Sequence, residues 1–595
     1  GLESPRGRES QTAKFSRLDL GTDVTIQAAG LFVTTIQSVD SSTQATLAAP
    51  AQRTVEAVLA DVWKTDSRPG LELLLANLDS QNIESAEICF GPGVYDFTRI
   101  PTASGTQPAA IGLRGLRNLT FRGSGPGVTI LRLMPNQDLN RDTHVIETVE
   151  CQNLTFRDLS IHGVYLTLGN AVEQMHGIHI NEGSEEIAVQ QVRIFQAAGD
   201  GIRMLGRRDR KVRNIWVESC RFIQNKRTGV GFQRGVEFAW VRNCYIEMTA
   251  PSTDQCLDFE PTGGRPPDGE PIIVAPTDII IESNVLVHEP RGVAVAISGV
   301  RGTDPVRRVK FADNILLGGE VFCTDVAQLT IQHNVVLVPQ SVQPGRILLN
   351  LQQGGDSVLI TGNLLISEHD DTPGVINLSE SNNRQVSRAL VANNLCVTPA
   401  GYGIRITGSD DVAVDGNMLV ATGPCTNGVL IQASGNSEIN HVSVRNNDIT
   451  VQSPGSWKTG ILFLAGVNPV HHVSAVGNSI SRASRGVVFQ GSQFAQTPVC
   501  ALNRIEGEVT RPLIGLDRLP QQTIVVGGGA SRGGSSAGTG AGRFLVGVGD
   551  PNGDPPTGKV LGNVGDIYQR LDENPVATLY VKESGDNTTT GWTPK

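Results

Sequence analysis

The stretch "IIIESNVLV" (279–287) returns with changes as "VKFADNILL" (309–317), "LTIQHNVVL" (329–337) and "VLITGNLLI" (358–366). In each, a short strand-like run leads to an asparagine and then to a second short apolar run. The asparagines are Asn284, Asn314, Asn334 and Asn363. The series continues with Asn394 in "ALVANNLCV", Asn417 in "VAVDGNMLV", Asn447 in "VSVRNNDIT" and Asn478 in "VSAVGNSIS". Two earlier stretches, "WVESCRFI" and "WVRNCYIE", align with these and put Cys220 and Cys244 at the asparagine position.

A second motif lies between the first, a glycine followed by apolar residues at alternate positions. It begins at Gly177, Gly201, Gly229, Gly292, Gly319, Gly345, Gly374, Gly403, Gly428, Gly460 and Gly486. "QCLDF" fills the widest gap, with Cys256 where glycine is expected, and the intervals then run from 24 to 36 residues. The repeat reads as a coil. Each turn supplies short strands, each strand pairs with its counterpart one turn on, and inward Val, Ile and Leu stack into a continuous core. Stacked Asn amides would bridge turn to turn and satisfy buried backbone groups. Helical repeats need longer periodic segments than these strands provide.

Twelve glycine-type rungs and an Asn ladder resemble the right-handed parallel β-helix of the pectate-lyase-like superfamily over roughly residues 85–525. The fold class implied is all-β: a solenoid of about twelve to fourteen rungs, an N-terminal cap and a small C-terminal β module. An N-terminal β segment is expected over residues 1–52, within which residues 16–50 resemble the leading segment of phage tailspikes and bacterial polysaccharide depolymerases. Residues 53–105 hold a capping helix, expected from the amphipathic "TVEAVLADVW" and "GLELLLANLD", and an opening strand, "ICFGPGVYDF". The coil itself is expected over 106–526, a Gly/Ser linker over 527–543 and the C-terminal module over 544–595.

Composition narrows the function. A chain of 595 residues is too long for one compact core unless it repeats. The net charge of −10 argues against a general nucleic-acid binder, whose phosphate contacts need clustered Lys and Arg. No apolar run reaches membrane-spanning length. The nine cysteines show no CxxC spacing, against a disulfide framework or a cysteine zinc site.

The stacking locates a candidate site. With Ile178, Ile202, Val230, Leu257 and Val293 taken as the inward reference, the next residues face outward: His179, Arg203, Gly231, Asp258 and Ala294. Three positions after the reference come Asn181, Leu205, Gln233, Glu260 and Ala296; near the strand starts lie Asp200, Arg227 and Asp254. Rungs sit roughly 4.8 Å apart. His179, Arg203, Asp258, Glu260, Gln233, Asp200 and Arg227 should therefore share one outward patch about four rungs tall.

Asp258 and Glu260 lie two residues apart on one face, about 6.6 Å between Cα atoms. Carboxyl groups roughly 5–9 Å apart suit either stereochemistry of glycoside hydrolysis, with one acid protonated and the other ionised. An acidic pair with an arginine on a solvated strand is ordinarily just surface; the local crowding of ionisable groups favours a site. His176 and His179 read as packing or hydrogen-bonding residues rather than metal ligands, and Asp200 in "GDGI" reads equally as a turn former. "RTGVGF…DQCLDFEP" also resembles a family pattern, "RxGI…GIDFEP", in bacterial and phage β-helix proteins, matching Arg227, Asp258, Glu260 and Pro261.

The expectation is a polysaccharide-binding protein that cleaves its ligand as a glycoside hydrolase. Asp258, Glu260 and Asp200 are the candidate acids, and Arg203, Arg227, Gln233, His179 and Asp254 would hold the sugar. No metal or cofactor is assigned. The alternative is a uronate lyase or epimerase in which Asp254, Asp258 and Glu260 hold calcium; the "DPHE" of the epimerases is absent. A third reading is a non-catalytic tail fibre or adhesin. The tailspike resemblance implies a secreted or virion-associated chain and a homotrimer; the lack of a long apolar run implies no membrane span.

Overall fold

In the computed structural model, residues 66–506 are described with short breaks at 99–108, 135–142, 164–173, 250–253, 262–273, 290–291, 301–303, 341–345, 382–383, 434–436, 453–456, 492 and 496–497. Outside that span only isolated strands are described, and residues 527–543, the expected linker, lie outside the described residues. The chain divides into two compact units, 1–274 and 275–595.

Both units are right-handed parallel β-helix. In the first, the strand His144–Val149 pairs in parallel with Ile178–Asn181, which pairs with Ile202–Leu205, then Thr228–Phe232, then Gln255–Phe259. The expected inward row is in register, Ile178 on Ile202 on Val230 on Leu257, and all four side chains are buried. Phe232 and Phe259 stack beneath the same strands with ring centroids 4.5 Å apart.

The motif glycine has a packing cause. A Cβ built on Gly177 would lie 2.6 Å from the carbonyl oxygen of Gly201, and one on Gly201 would lie 2.6 Å from that of Gly229. Successive rungs pass too close there for a side chain. The rung expected to start at Gly292 departs from this rule. A Cβ at Gly292 meets nothing within 4 Å, Val293 is half-buried, and Val295 and Ile297 are fully buried. The inward residues there are Val295 and Ile297, with Val295 paired to Val321, two positions later than the motif suggests.

The second unit carries the amide ladder. Each Asn side chain donates to the next: Asn284 Nδ2 to Asn314 Oδ1 at 2.9 Å, Asn363 to Asn394 at 2.9 Å, Asn394 to Asn417 at 2.9 Å. From Asn314 on, Nδ2 also bonds a backbone carbonyl of the preceding rung, as Asn394 does with Ile360 at 3.1 Å. Asn503, not recognised in the sequence, extends the series beyond Asn478. The residue before each Asn is left-handed: φ is 59° at Ser283, 57° at Asp313, 66° at Gly362 and 65° at Gly416. Small or hydrogen-bonding residues tolerate that conformation, which makes the corner sharp. In the first unit the same corner holds buried thiols. Cys220 Sγ approaches the Val189 carbonyl at 3.3 Å and Cys244 Sγ that of Val217 at 3.6 Å.

At the chain's start, Asp23–Gln27, Leu31–Ser41, Gln44–Leu47 and Ala60–Trp63 form an antiparallel sheet. Ala60–Trp63 lies in "TVEAVLADVW", so this part is strand rather than helix, because its Val62 pairs with Val24; residues 54–59 lie outside the described residues. The helix is Arg68–Ser80 and opens on a proline. It is tied to the first rung by the Ser67 amide, which donates to the Asp96 carbonyl at 2.7 Å. Leu71 is its buried residue, while Leu73 is 64% exposed. At the far end Ile524–Val526, Phe544–Gly547, Ile567–Arg570, Leu579–Lys582 and Trp592–Pro594 make a small sheet. Its first strand precedes the expected linker and pairs with Phe544–Gly547 beyond it. Among the described residues no helix is long and apolar enough to cross a membrane.

Candidate functional site

The first unit's register produces an outward column. Glu147 pairs with His179, His179 with Arg203, Arg203 with Gly231 and Gly231 with Asp258. Strand alternation keeps these side chains off the core face that Ile178, Ile202, Val230 and Leu257 occupy. Gly231 matters because it leaves room beside Asp258: a Cβ there would stand 3.1 Å from Asp200 Oδ2. Asp200 thus reaches into the space left by the missing side chain.

Around that space the acids and their partners converge. Arg227 Nη2 donates to Glu260 Oε2 at 2.8 Å, and Gln233 Nε2 donates to the same oxygen at 3.2 Å. Arg227 Nε lies 3.9 Å from Asp200 Oδ1, so one guanidinium spans two carboxylates from different rungs. Burial opposes the Arg227 charge, yet Asp200 and Glu260 hold its pKa above the usual value. The Asp200 carboxylate is fully buried, with His176 Nδ1 at 3.3 Å from Oδ2. Burial raises its pKa, while Arg227 and Arg203 pull the other way.

Asp258 is half-buried. Burial first, then the neighbouring charges of Glu260 and Asp200, push its carboxyl up to about 7, against the pull of Arg227. A carboxyl kept protonated near neutrality beside a second carboxyl held by an arginine is the environment pairing of an acid and its partner. Asp254 is exposed, at the start of the same strand, and its charge adds to the rise at Asp258.

Three residues expected to hold the sugar sit otherwise. Gln233 was expected on the outward patch and is buried instead, its Nε2 turned to Glu260. Arg203 keeps its place in the column but turns to the preceding rung, where Nη1 bonds Gln174 Oε1 and lies 2.9 Å from His176 Nε2. His179 was expected on the outward patch and is fully buried instead. It packs against His144, ring centroids 4.4 Å apart, and against Glu147, whose Oε1 is 3.8 Å from Nδ1. Closed in by those groups, His179 has no surface to offer a glycan. His144 and Glu147 escaped the sequence reading because "HVIETV" (144–149) lacks the glycine that marks the other rungs. The alternation of Ile146 and Thr148 about Glu147 was the available signal.

These features define the chain as a parallel β-helix protein with a cluster of ionisable groups on one flank of the first unit. No family model matches the sequence, and no curated protein matches it. Solved structures share the architecture at low overlap. The mannuronan C-5 epimerase AlgE6 A-module from Azotobacter vinelandii is 14% identical with a TM-score of 0.33, covering 76% of this chain and 94% of its own. The Dettilon tailspike protein is 12% identical with a TM-score of 0.34, covering 72% of this chain and 66% of its own. The surface adhesin PfbA of Streptococcus pneumoniae is 11% identical with a TM-score of 0.36, covering 82% and 94%. The coil is assigned here on its own strand pairing.

Proposed function

We propose that this chain binds a polysaccharide and hydrolyses its glycosidic bonds, with Asp258 as proton donor and Glu260 as base or nucleophile. The observation that carries the reading is the contrast between two carboxyls two residues apart. Burial and neighbouring carboxylates keep Asp258 protonated up to about pH 7; Arg227 and Gln233 bond Glu260. Hydrolysis needs that asymmetry. The protonated acid gives its hydrogen to the leaving oxygen, and the charged partner attacks the anomeric carbon or takes a proton from water. Asp200, buried behind Arg227, is the third candidate acid and orients the guanidinium. The half-buried Arg227 and the exposed Asp254 are the polar groups nearest the sugar in this reading, and Gln233 acts from behind, through Glu260. The same reading puts the chain outside a cell or on a virion, and makes a homotrimer an assembly to look for by light scattering.

The test is a panel of neutral and acidic glycans, read by new reducing ends and by absorbance of a new double bond, with and without EDTA. Hydrolysis predicts reducing ends without double bonds, insensitive to chelator. Asp258→Asn and Glu260→Gln should each lower the rate by about 10²–10⁴-fold while the fold is kept. Double-bond absorbance lost on chelation would replace the proposal with a calcium-dependent lyase. Glycan binding unchanged in both variants, with no product from any substrate, would leave an adhesin.

A further inference from the structure

We propose that His144, Glu147 and His179 form a binding site for one divalent transition-metal ion of the zinc class. His144 and Glu147 come from the strand His144–Val149 and His179 from the next rung, where it is paired directly with Glu147. One ligating atom from each lies within 4.8 Å of the others, and all three side chains are buried. Two imidazoles and one carboxylate are a zinc-type donor set, softer than the all-oxygen shell that calcium takes.

An independent feature points to a missing ligand. His179 is fully enclosed, yet neither Nδ1 nor Nε2 has a hydrogen-bond partner. A buried polar group without a partner is costly, and a metal ion would take the ring's lone pair. The supporting shell is also present. Arg114 Nη2 bonds Glu147 Oε2 at 3.0 Å and Asn181 Nδ2 bonds Oε1 at 3.2 Å, fixing the carboxylate as outer-shell partners do.

Closure asks for small movements. His179 Nδ1 and Glu147 Oε1 stand 3.8 Å apart, and tetrahedral bonds of about 2.0 Å to zinc bring ligand atoms to roughly 3.3 Å. His144 Nδ1 accepts a long 3.3 Å bond from the His176 amide, which ligation can reorganise. Arg203 opposes the ion's charge, but its guanidinium is drawn toward His176 and Gln174. His179 is three rungs from Asp258, roughly 14 Å at the strand spacing, so the ion would brace the rungs below the acids without touching a reacting atom.

The full chain, stripped with EDTA and dialysed, is loaded with Zn²⁺ and separately with Co²⁺. Expected are one bound ion per chain by elemental analysis, a visible Co²⁺ band and a higher Tm with Zn²⁺. His179→Gln and Glu147→Gln should lose the ion and the Tm shift with an unchanged circular dichroism spectrum. The control His471→Gln, paired with Glu438 in the second unit, should keep both. A wild-type chain that holds no stoichiometric ion and gains no Tm overturns the proposal, whether or not the variants fold. So does an ion that persists in folded His179→Gln.

Discussion

Arg227 reaches across one rung to donate to Glu260 Oε2 at 2.8 Å, and the same guanidinium faces the buried Asp200 carboxylate 3.9 Å from Nε. One cation therefore faces two acids from different rungs, with Asp200 fully enclosed and Glu260 open to solvent on one side.

Arg227→Ala should cost stability in a pH-dependent way. At pH 7 it strands Asp200 as a buried carboxyl without its arginine and frees a partly exposed Glu260. The Glu260 pair by itself is worth only about 1 kcal/mol or less, whereas an unpaired buried carboxylate is far more costly and will take up a proton instead. Denaturant titrations should show the variant's deficit larger at pH 7 than at pH 4, because burial already favours the protonated form of Asp200 at the lower pH in either protein. A deficit equal at the two values would mean that Arg227 acts through packing of its stem.

The amide ladder gives a second expectation. Asn394 Oδ1 accepts from the Asn363 amide at 3.0 Å and from Asn363 Nδ2 at 2.9 Å, while its own Nδ2 serves Asn417 and Ile360. Asn394→Ala leaves several buried groups unpaired, at about 1–3 kcal/mol each, so a loss of roughly 3 kcal/mol or more is expected. Asn503 is the last member described and accepts from Asn478 alone within the ladder. Asn503→Ala should cost less, because fewer buried partners are stranded. Urea unfolding of the two variants side by side checks the order.

The coil was legible because its two constraints are local and repeat: rungs that nearly touch demand glycine at Gly177, Gly201 and Gly229, and sharp corners demand a hydrogen-bonding side chain at the Asn position. The column from His179 through Arg203 and Gly231 to Asp258 followed from that register. What failed had lost the mark. His144–Val149 carries no motif glycine, so a rung that holds His144 and Glu147 went unread. Gly292 kept the letter without the close approach, which put Val293 in a core position that Val295 fills. Burial of His179 depends on neighbours above the strand face, and alternation is blind to those. "TVEAVLADVW" has the apolar content of either element, and its last residues became strand because a partner, Asp23–Gln27, was available.

Asp258 supplies the expectation most sensitive to pH. Its carboxyl is raised from 3.8 to about 7. Its folded pKa exceeds the unfolded one, so between these values the folded chain binds the proton and the unfolded chain does not. By linkage, stability contributed by this group is complete below about pH 4 and declines as pH rises through 7. Asp258→Asn keeps the shape and removes the titration, so its stability should lose the downward slope between about pH 4 and 7 that wild type shows. Catalysis by a protonated Asp258 follows the same direction: turnover should fall as pH rises past 7, and the alkaline limb should move when the neighbouring charge is removed in Glu260→Gln, toward lower pH because a like charge no longer holds the proton on. Residual activity in Glu260→Gln will be small, so the shift is best read by following the Asp258 carboxyl directly, with infrared or ¹³C resonance, across pH 4 to 9. An Asp258 carboxyl that is already ionised at pH 5 would remove it from the proton-donor role.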